Sequence, residues 1–185
     1  MFDFLGNLRL LDHQSFFALY NFASQNHFWH DFFYLFAQYG IILIFLGIIY
    51  LVLRIRIDAV FSAMMAMVFS AIISFVIYYF WQRPRPYVTY AAVQQLASYT
   101  TSYSFPSAHT FLSFAIAMTI WLYGHKKLGA ALFLVAATIA VSRVAAGVHY
   151  PSDVIAGAAI GIISGTLAHW FMESFEHFWG ENSAE

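Results

Sequence analysis

The sequence predicts an all-α integral membrane protein: about five transmembrane helices in one bundle, preceded by an N-terminal amphipathic helix. Three observations lead there. Hydrophobic residues make up 62% of the 185 and charged residues only 9%, against an apolar share of roughly half in soluble domains. The apolar residues gather into stretches near the ~20 residues a helix needs to cross a bilayer. The polar residues concentrate between those stretches. Five spans and their connections use up the chain, so residues 1–185 are expected to form a single domain.

The first element is HQSFFALYNFAS, residues 13–24, where Phe16, Leu19, Tyr20 and Ala23 recur at helical spacing among polar residues. That pattern suits a helix lying in the membrane interface, too short and too polar to span. Asp3 stands where a secretory leader would be basic, and no small-residue cleavage site follows, so the N-terminus is expected to be retained. Spans are expected at 32–53, 59–81, 107–123, 128–148 and 152–171. Their connections are RIRID at 54–58, a long tyrosine-rich loop at 82–106, GHKK at 124–127 and a tight HYP turn. Gly157, Gly161 and Gly165 recur every four residues along the last span, a spacing that favours close helix packing. The long loop suits either a shield over a site or an interfacial aromatic belt.

Charge sets the expected orientation. Arg54, Arg56, Lys126 and Lys127 occupy two short loops that alternating spans put on one side, which the positive-inside rule makes cytoplasmic. The 82–106 loop and the HYP turn then face outward, with the protein in the inner membrane. Arg83, Arg85 and Arg143 break the bias by lying at the outer face, where ionisable residues point to function. The net charge of −1 argues against a nucleic-acid partner. Without cysteine there is no disulfide or thiolate metal site, and no metal, cofactor or obligate protein partner is expected.

Three polar clusters converge on that outer face: RPRP at 83–86, PSAH at 106–109, and SRVAAGVHYPSD at 142–153. Arg85 and Arg143 offer planar forks suited to phosphate oxygens, and Ser107 adds a hydroxyl and backbone N–H groups. Pro106-Ser107 and Pro151 mark two helix N-termini whose positive ends favour a bound anion. His109 and His149 supply groups able to attack phosphorus or protonate a leaving oxygen. Asp153, four residues beyond His149, can fix an imidazole tautomer. Taken singly, Arg85 reads as a snorkelling arginine, His109 as a helix cap and Asp153 as a dipole partner. The joint spacing is what outweighs those readings.

These blocks resemble the type 2 phosphatidic acid phosphatase superfamily of membrane lipid phosphatases, whose signature is Lys-x6-Arg-Pro, Pro-Ser-Gly-His and Ser-Arg-x5-His-x3-Asp. The third block is complete as Ser142, Arg143, His149 and Asp153, the second reads PSAH, and the resemblance covers about residues 32–172. It implies His149 as a nucleophile that becomes phosphohistidine, Asp153 as its orienting partner, His109 as general acid, and Arg85, Ser107, Ala108 and Arg143 as the phosphate cradle. Two positions depart from the signature. Tyr78 occupies the first-block lysine position, leaving Arg83 and Tyr78 as auxiliary candidates, and Ala108 replaces glycine, whose amide can still donate if its backbone is helical. The short chain and the missing lysine are similar to the bacterial undecaprenyl diphosphate phosphatase branch, with phosphatidic acid or phosphatidylglycerophosphate as alternative substrates. Two other readings are weaker. An anion carrier would need ionisable residues at the membrane midplane, and apart from Asp58 and His169 near the inner ends the spans have none. A vanadate-dependent haloperoxidase would not carry the spans. Lipid phosphate and the surrounding lipid are the expected partners.

Overall fold

The computed structural model describes residues 2–95 and 102–182, which form seven helices: α1 (Phe2–Ser24), α2 (His27–Leu53), α3 (Ile57–Phe80), α4 (Pro86–Thr89), α5 (Ala108–Leu122), α6 (Lys126–Ala145) and α7 (Pro151–Asn182). Among the described residues, pairing of extended backbone is limited to one bridge between Pro84 and Tyr103. Helices α2, α3, α6 and the 151–177 part of α7 are each long and apolar enough to cross a membrane. The span expected at 107–123 is α5, which has only 15 residues, about 22 Å at 1.5 Å per residue.

Helix α3 shows why this bundle belongs in lipid. Its inward residues are Ala59, Ser62, Ala63, Ala66, Ser70 and Ser74, whereas Phe61, Met64, Val68, Ile72, Phe75 and Phe80 point out. In water the large apolar side chains would go inside. In lipid they gain nothing by doing so, and small residues let helices approach closely. The inward stripe of α2, Phe33, Ala37, Gly40, Ile44, Gly47 and Leu51, repeats every three to four residues and packs on α5 and α6. Helix α5 sits centrally, against α2, α3, α6 and α7.

The glycine series of α7 does pack against α5. A Cβ on Gly157 would stand 2.9 Å from the Ser107 carbonyl oxygen, and one on Gly165 would stand 2.9 Å from that of Ala115. Both obstacles are backbone, so a side chain there would push the two helices apart.

Several boundaries differ from the sequence expectation. The N-terminal helix begins at Phe2 rather than near residue 13, so it is 23 residues long. Helix α6 stops at Ala145, three residues early, because Gly147 takes a φ of +76° and turns the chain into a buried loop. Helix α7 runs on to Asn182 instead of ending near 171. Part of the 82–106 loop, residues 96–101, lies outside the described residues. The rest folds back on itself, with Arg85 N donating to Ser102 O and Ser104 N to Arg83 O.

The four loop cations share one end of the bundle. There Arg56 lies over the Tyr123 ring, Tyr50 meets His125 edge-on, and Lys126 covers Trp121. The 81–86 segment, the α5 N-terminus and the 146–150 turn gather at the other end.

Candidate active site

Three breaks in helical structure build the site. The first follows α3, where Pro84 and Pro86 hold the chain extended and deliver Arg83 and Arg85. The second is the start of α5, with Ser107 as its N-cap. The third is the turn from Ala146 to Tyr150, which is buried throughout and carries His149.

His149 stands at the centre, 2% exposed. Its Nε2 lies 3.3 Å from Arg85 Nη1 and 3.3 Å from Arg143 Nη2. A guanidinium has donors and no acceptor, so Nε2 must present its lone pair and the ring proton sits on Nδ1. That is the tautomer able to attack through Nε2. On the other side of the ring, Nδ1 lies 3.6 Å from Asp153 Oδ2, longer than a hydrogen bond. Nδ1 has no hydrogen-bond partner among the described residues.

Both arginines are buried, Arg85 at 7% and Arg143 at 1% exposed. Arg85 Nη1 also donates to Val148 O at 2.9 Å, and Arg143 Nη1 donates to Ala37 O at 3.1 Å. These carbonyls aim the forks, so two cations converge on one nitrogen. Burial pulls the Arg85 pKa below its ordinary value, the mark of a charge that gains from an arriving anion. Burial also pushes His149 down from 6.5 to about 3; the two arginines add to that push and Asp153 opposes it.

Asp153 is fully buried. Its Oδ1 accepts from Arg83 Nη1 at 2.9 Å and its Oδ2 from Tyr150 N at 2.8 Å. The second bond is half of a capping box, in which the third residue of α7 reaches back to the N-cap amide. The Asp153 carbonyl accepts from Ser107 N at 3.2 Å. Ser107 Oγ is buried and accepts from Thr110 Oγ1.

The two helix N-termini are therefore not equivalent, contrary to the sequence expectation. At α7, Pro151 has no N–H, Ser152 N donates to Asp12 Oδ1, and Asp153 N donates to Tyr150 O. Helix α7 can offer its dipole but not these amides. At α5 the Ser107 amide is taken, whereas Ala108 is the first residue within the helix and is exposed. Its amide has no intrahelical acceptor, and its backbone meets the helical condition for donating to an oxyanion. His109 follows, half-buried and within electrostatic reach of Arg85.

The auxiliary candidates separate. Arg83 is held by Asp12, Ser152 and Asp153 and lies 3.7 Å over the Tyr150 ring. Tyr78 meets Tyr103 edge-on, 5.6 Å between centroids. Asp12 was not singled out from the sequence. Among the described residues no group of three or more His, Cys, Asp or Glu side chains is arranged to hold a metal ion.

Comparison with known proteins agrees with this geometry. Residues 59–176 match the PAP2 superfamily. The chain is 41% identical over 86 residues to the bacitracin transport permease protein BcrC of Bacillus licheniformis, covering 46% of this chain and 42% of that one. It is 32% identical over 107 residues to the undecaprenyl-diphosphatase BcrC of Bacillus subtilis, 58% and 54% of the two chains. It is 38% identical over 77 residues to the lipid A 1-phosphatase of Porphyromonas gingivalis, 40% and 17%. The chain thus spans about half or less of the length of the curated relatives it matches. The crystal structure of Aquifex aeolicus LpxE superimposes with a TM-score of 0.73 at 31% identity, over 85% of this chain and 94% of that one.

A histidine whose folded pKa is depressed takes up fewer protons than the unfolded chain between the two pKa values. The stability tied to neutral His149 is therefore complete above 6.5 and is lost as pH falls from there towards 3. With its pKa held that low, His149 should stay unprotonated throughout the physiological range. The His149 ring signals, assigned by their loss in His149→Ala, should not shift between pH 8 and pH 5 in an NMR titration of labelled protein in micelles. A midpoint near 6.5 would contradict this environment.

Proposed function

The chain belongs to the PAP2 superfamily, and from that premise we propose that it hydrolyses a lipid phosphate ester or diphosphate through a phosphohistidine intermediate, undecaprenyl diphosphate first among the candidates, at the outer leaflet of the inner membrane. The observation that carries the reading is the convergence of two buried guanidinium groups on the lone pair of His149 Nε2. At 3.3 Å both contacts are weak, and a phosphate oxygen is a better acceptor than imidazole. Phosphate oxygens arriving in the cradle take over the donors of Arg85 and Arg143 and release the lone pair in line with phosphorus. The Nε2–P bond forms as the P–O bond to the lipid leaving group breaks, and His109 protonates the departing oxygen. The imidazolium that results carries its proton on Nδ1, and closing the 3.6 Å gap to Asp153 stabilises it. Water, giving a proton back to His109, then cleaves the N–P bond to release inorganic phosphate and neutral His149.

Rapid quenching with 32P-labelled substrate should trap an acid-labile, base-stable phosphoenzyme that His149→Ala lacks. His109→Ala should lose on the order of 100- to 10,000-fold in turnover, the usual contribution of a general acid. A His149→Ala protein with normal turnover would falsify the assignment.

For the substrate, the support is the likeness to an undecaprenyl-diphosphatase over 107 residues. Arg83 is committed to two carboxylates, so the charge to meet a diphosphate comes from Arg85 and Arg143. The likeness to a lipid A 1-phosphatase favours a second reading, a glycolipid phosphate. Specificity constants on polyprenyl diphosphate, lipid A, phosphatidic acid and phosphatidylglycerophosphate, measured in one detergent, decide between them. Polyprenyl diphosphate should lead. A tenfold preference for any of the others, about 1.4 kcal/mol of transition-state discrimination, removes the carrier-lipid reading and leaves the phosphatase reading standing.

The outward orientation is supported by the four cations grouped at the end opposite the site. A cysteine replacing exposed Ala91 should react with an impermeant thiol reagent in intact cells, and one replacing exposed Lys127 should not. The opposite labelling pattern puts the site in the cytoplasm.

A further inference from the structure

Helix α1 reaches into the site through one side chain. Asp12 is 10% exposed and uses both carboxylate oxygens on groups beside Asp153. Its Oδ1 accepts from Ser152 N at 2.8 Å, and its Oδ2 accepts from Ser152 Oγ at 2.8 Å and Arg83 Nη2 at 2.6 Å. Arg83 then turns its other amino group to Ser152 Oγ at 2.6 Å and Asp153 Oδ1 at 2.9 Å. Beside this network His13, one residue on, stacks on Tyr150 and pairs with Tyr90.

We propose that Asp12 is a positioning residue for the reaction, acting on the Asp153–His149 pair through Arg83; the proposal rests on the catalytic reading of that pair given above. A carboxylate can rotate about its last torsion, and which oxygen faces His149 depends on where the other is held. Arg83 holds Oδ1. A guanidinium has a planar fork, so fixing one amino group fixes the direction of the other. With Asp12 on Nη2, Nη1 is aimed at Asp153 Oδ1, and Oδ2 is left facing Tyr150 N and the His149 ring. Asp12 also accepts the amide of the second residue of α7, so the backbone that carries Asp153 and the cation that grips its side chain are tied to the same anchor. Without the Asp12 charge, Arg83 has Asp153 as its remaining carboxylate partner and is free to chelate both its oxygens, drawing Oδ2 away from the imidazole.

This role separates from phosphate binding. Asp12 and Arg83 act on Ser152 and Asp153, whereas the forks of Arg85 and Arg143 are aimed by the Val148 and Ala37 carbonyls, so affinity for phosphate should be spared and the chemical step slowed. The test is steady-state kinetics on polyprenyl diphosphate, or on whichever of the four lipids is turned over fastest, normalised to the active sites counted by trapped phosphohistidine. Asp12→Asn should lower kcat per active site by roughly tenfold, the lower range for loss of a group supporting a reactive ligand, with KM within about twofold. Asp12→Glu should recover part of it, and Asp31→Asn, an exposed carboxylate on α2, should match the parent. If Asp12→Asn does not fold, Arg83→Lys, which keeps the charge and loses the fork, should give the same split. Normal kcat per site in the variant that folds, or a loss confined to KM or to the number of active sites, overturns the proposal. His149→Ala tells the two readings apart: its inactivity alongside a normal Asp12→Asn rejects only the positioning role, whereas normal turnover in His149→Ala rejects both.

Discussion

Removing a carboxylate from water costs several kcal/mol even after the protein relaxes around it, and Asp153 has no exposed surface. The cost is offset because Asp153 is bonded on all sides, and each bond goes to a different piece of the site. Oδ1 holds Arg83 from the connection after α3, the main-chain carbonyl holds Ser107 at the start of α5, and Oδ2 holds the Tyr150 amide and faces the His149 ring. The three motif blocks are thus ordered around one buried anion. Replacing it with an apolar residue would leave the Tyr150 amide without its side-chain acceptor and take from Arg83 one of its two carboxylate partners, and losing the partner of a buried charge is far costlier than the net worth of the pair.

How much of this was legible in the sequence depended on whether the signal was local. The spans could be read because lipid demands long apolar runs, and the third block because a helix end and a one-turn spacing fix His149 and Asp153 relative to each other. The buried forks of Arg85 and Arg143 followed from their place at span ends beside that block. Asp12 could not be read in the same way. It lies 71 residues from Arg83, in a segment whose pattern gives only amphipathicity, and its value comes from a tertiary approach of α1 to α7. The donors of α7 misled for a related reason. A helix N-terminus advertises free amides, and only the fold shows that a proline, a capping box and Asp12 have used them. The start of α1 and the end of α7 were missed because polar residues within a helix do not mark its limits.

The helix lengths decide where a substrate would sit. Contacts between Arg56 and Tyr123 and between Tyr50 and His125 bring the ends of α2, α3 and α5 away from the site to similar depth. From that common level α5 rises about 22 Å, against about 40 Å for the 27 residues of α2. By length alone its first residue, Ala108, therefore falls short of the site-side end of α2. A phosphate drawn to the Ala108 amide and the two arginines would sit in that recess rather than on the surface. This fits the burial of His149, Arg85 and Arg143, and this end of the bundle is covered. Helix α1 and the folded 81–95 segment supply the cover: Phe16, Val93, Tyr150 and Val144 form one buried cluster, and Gln94 N bonds to the Tyr20 hydroxyl.

A site built this way depends on the interface for its integrity. The face of α1 that carries Phe16 packs over the 146–150 turn, while Leu10, Leu11 and Phe22 stay exposed, a division suited to a helix lying at the lipid boundary. The same packing of α1 places Asp12 on Arg83 and Ser152. The membrane does more here than dissolve the spans. If Asp12 positions Asp153 as proposed, the membrane acts through α1 on the carboxylate that faces the His149 ring.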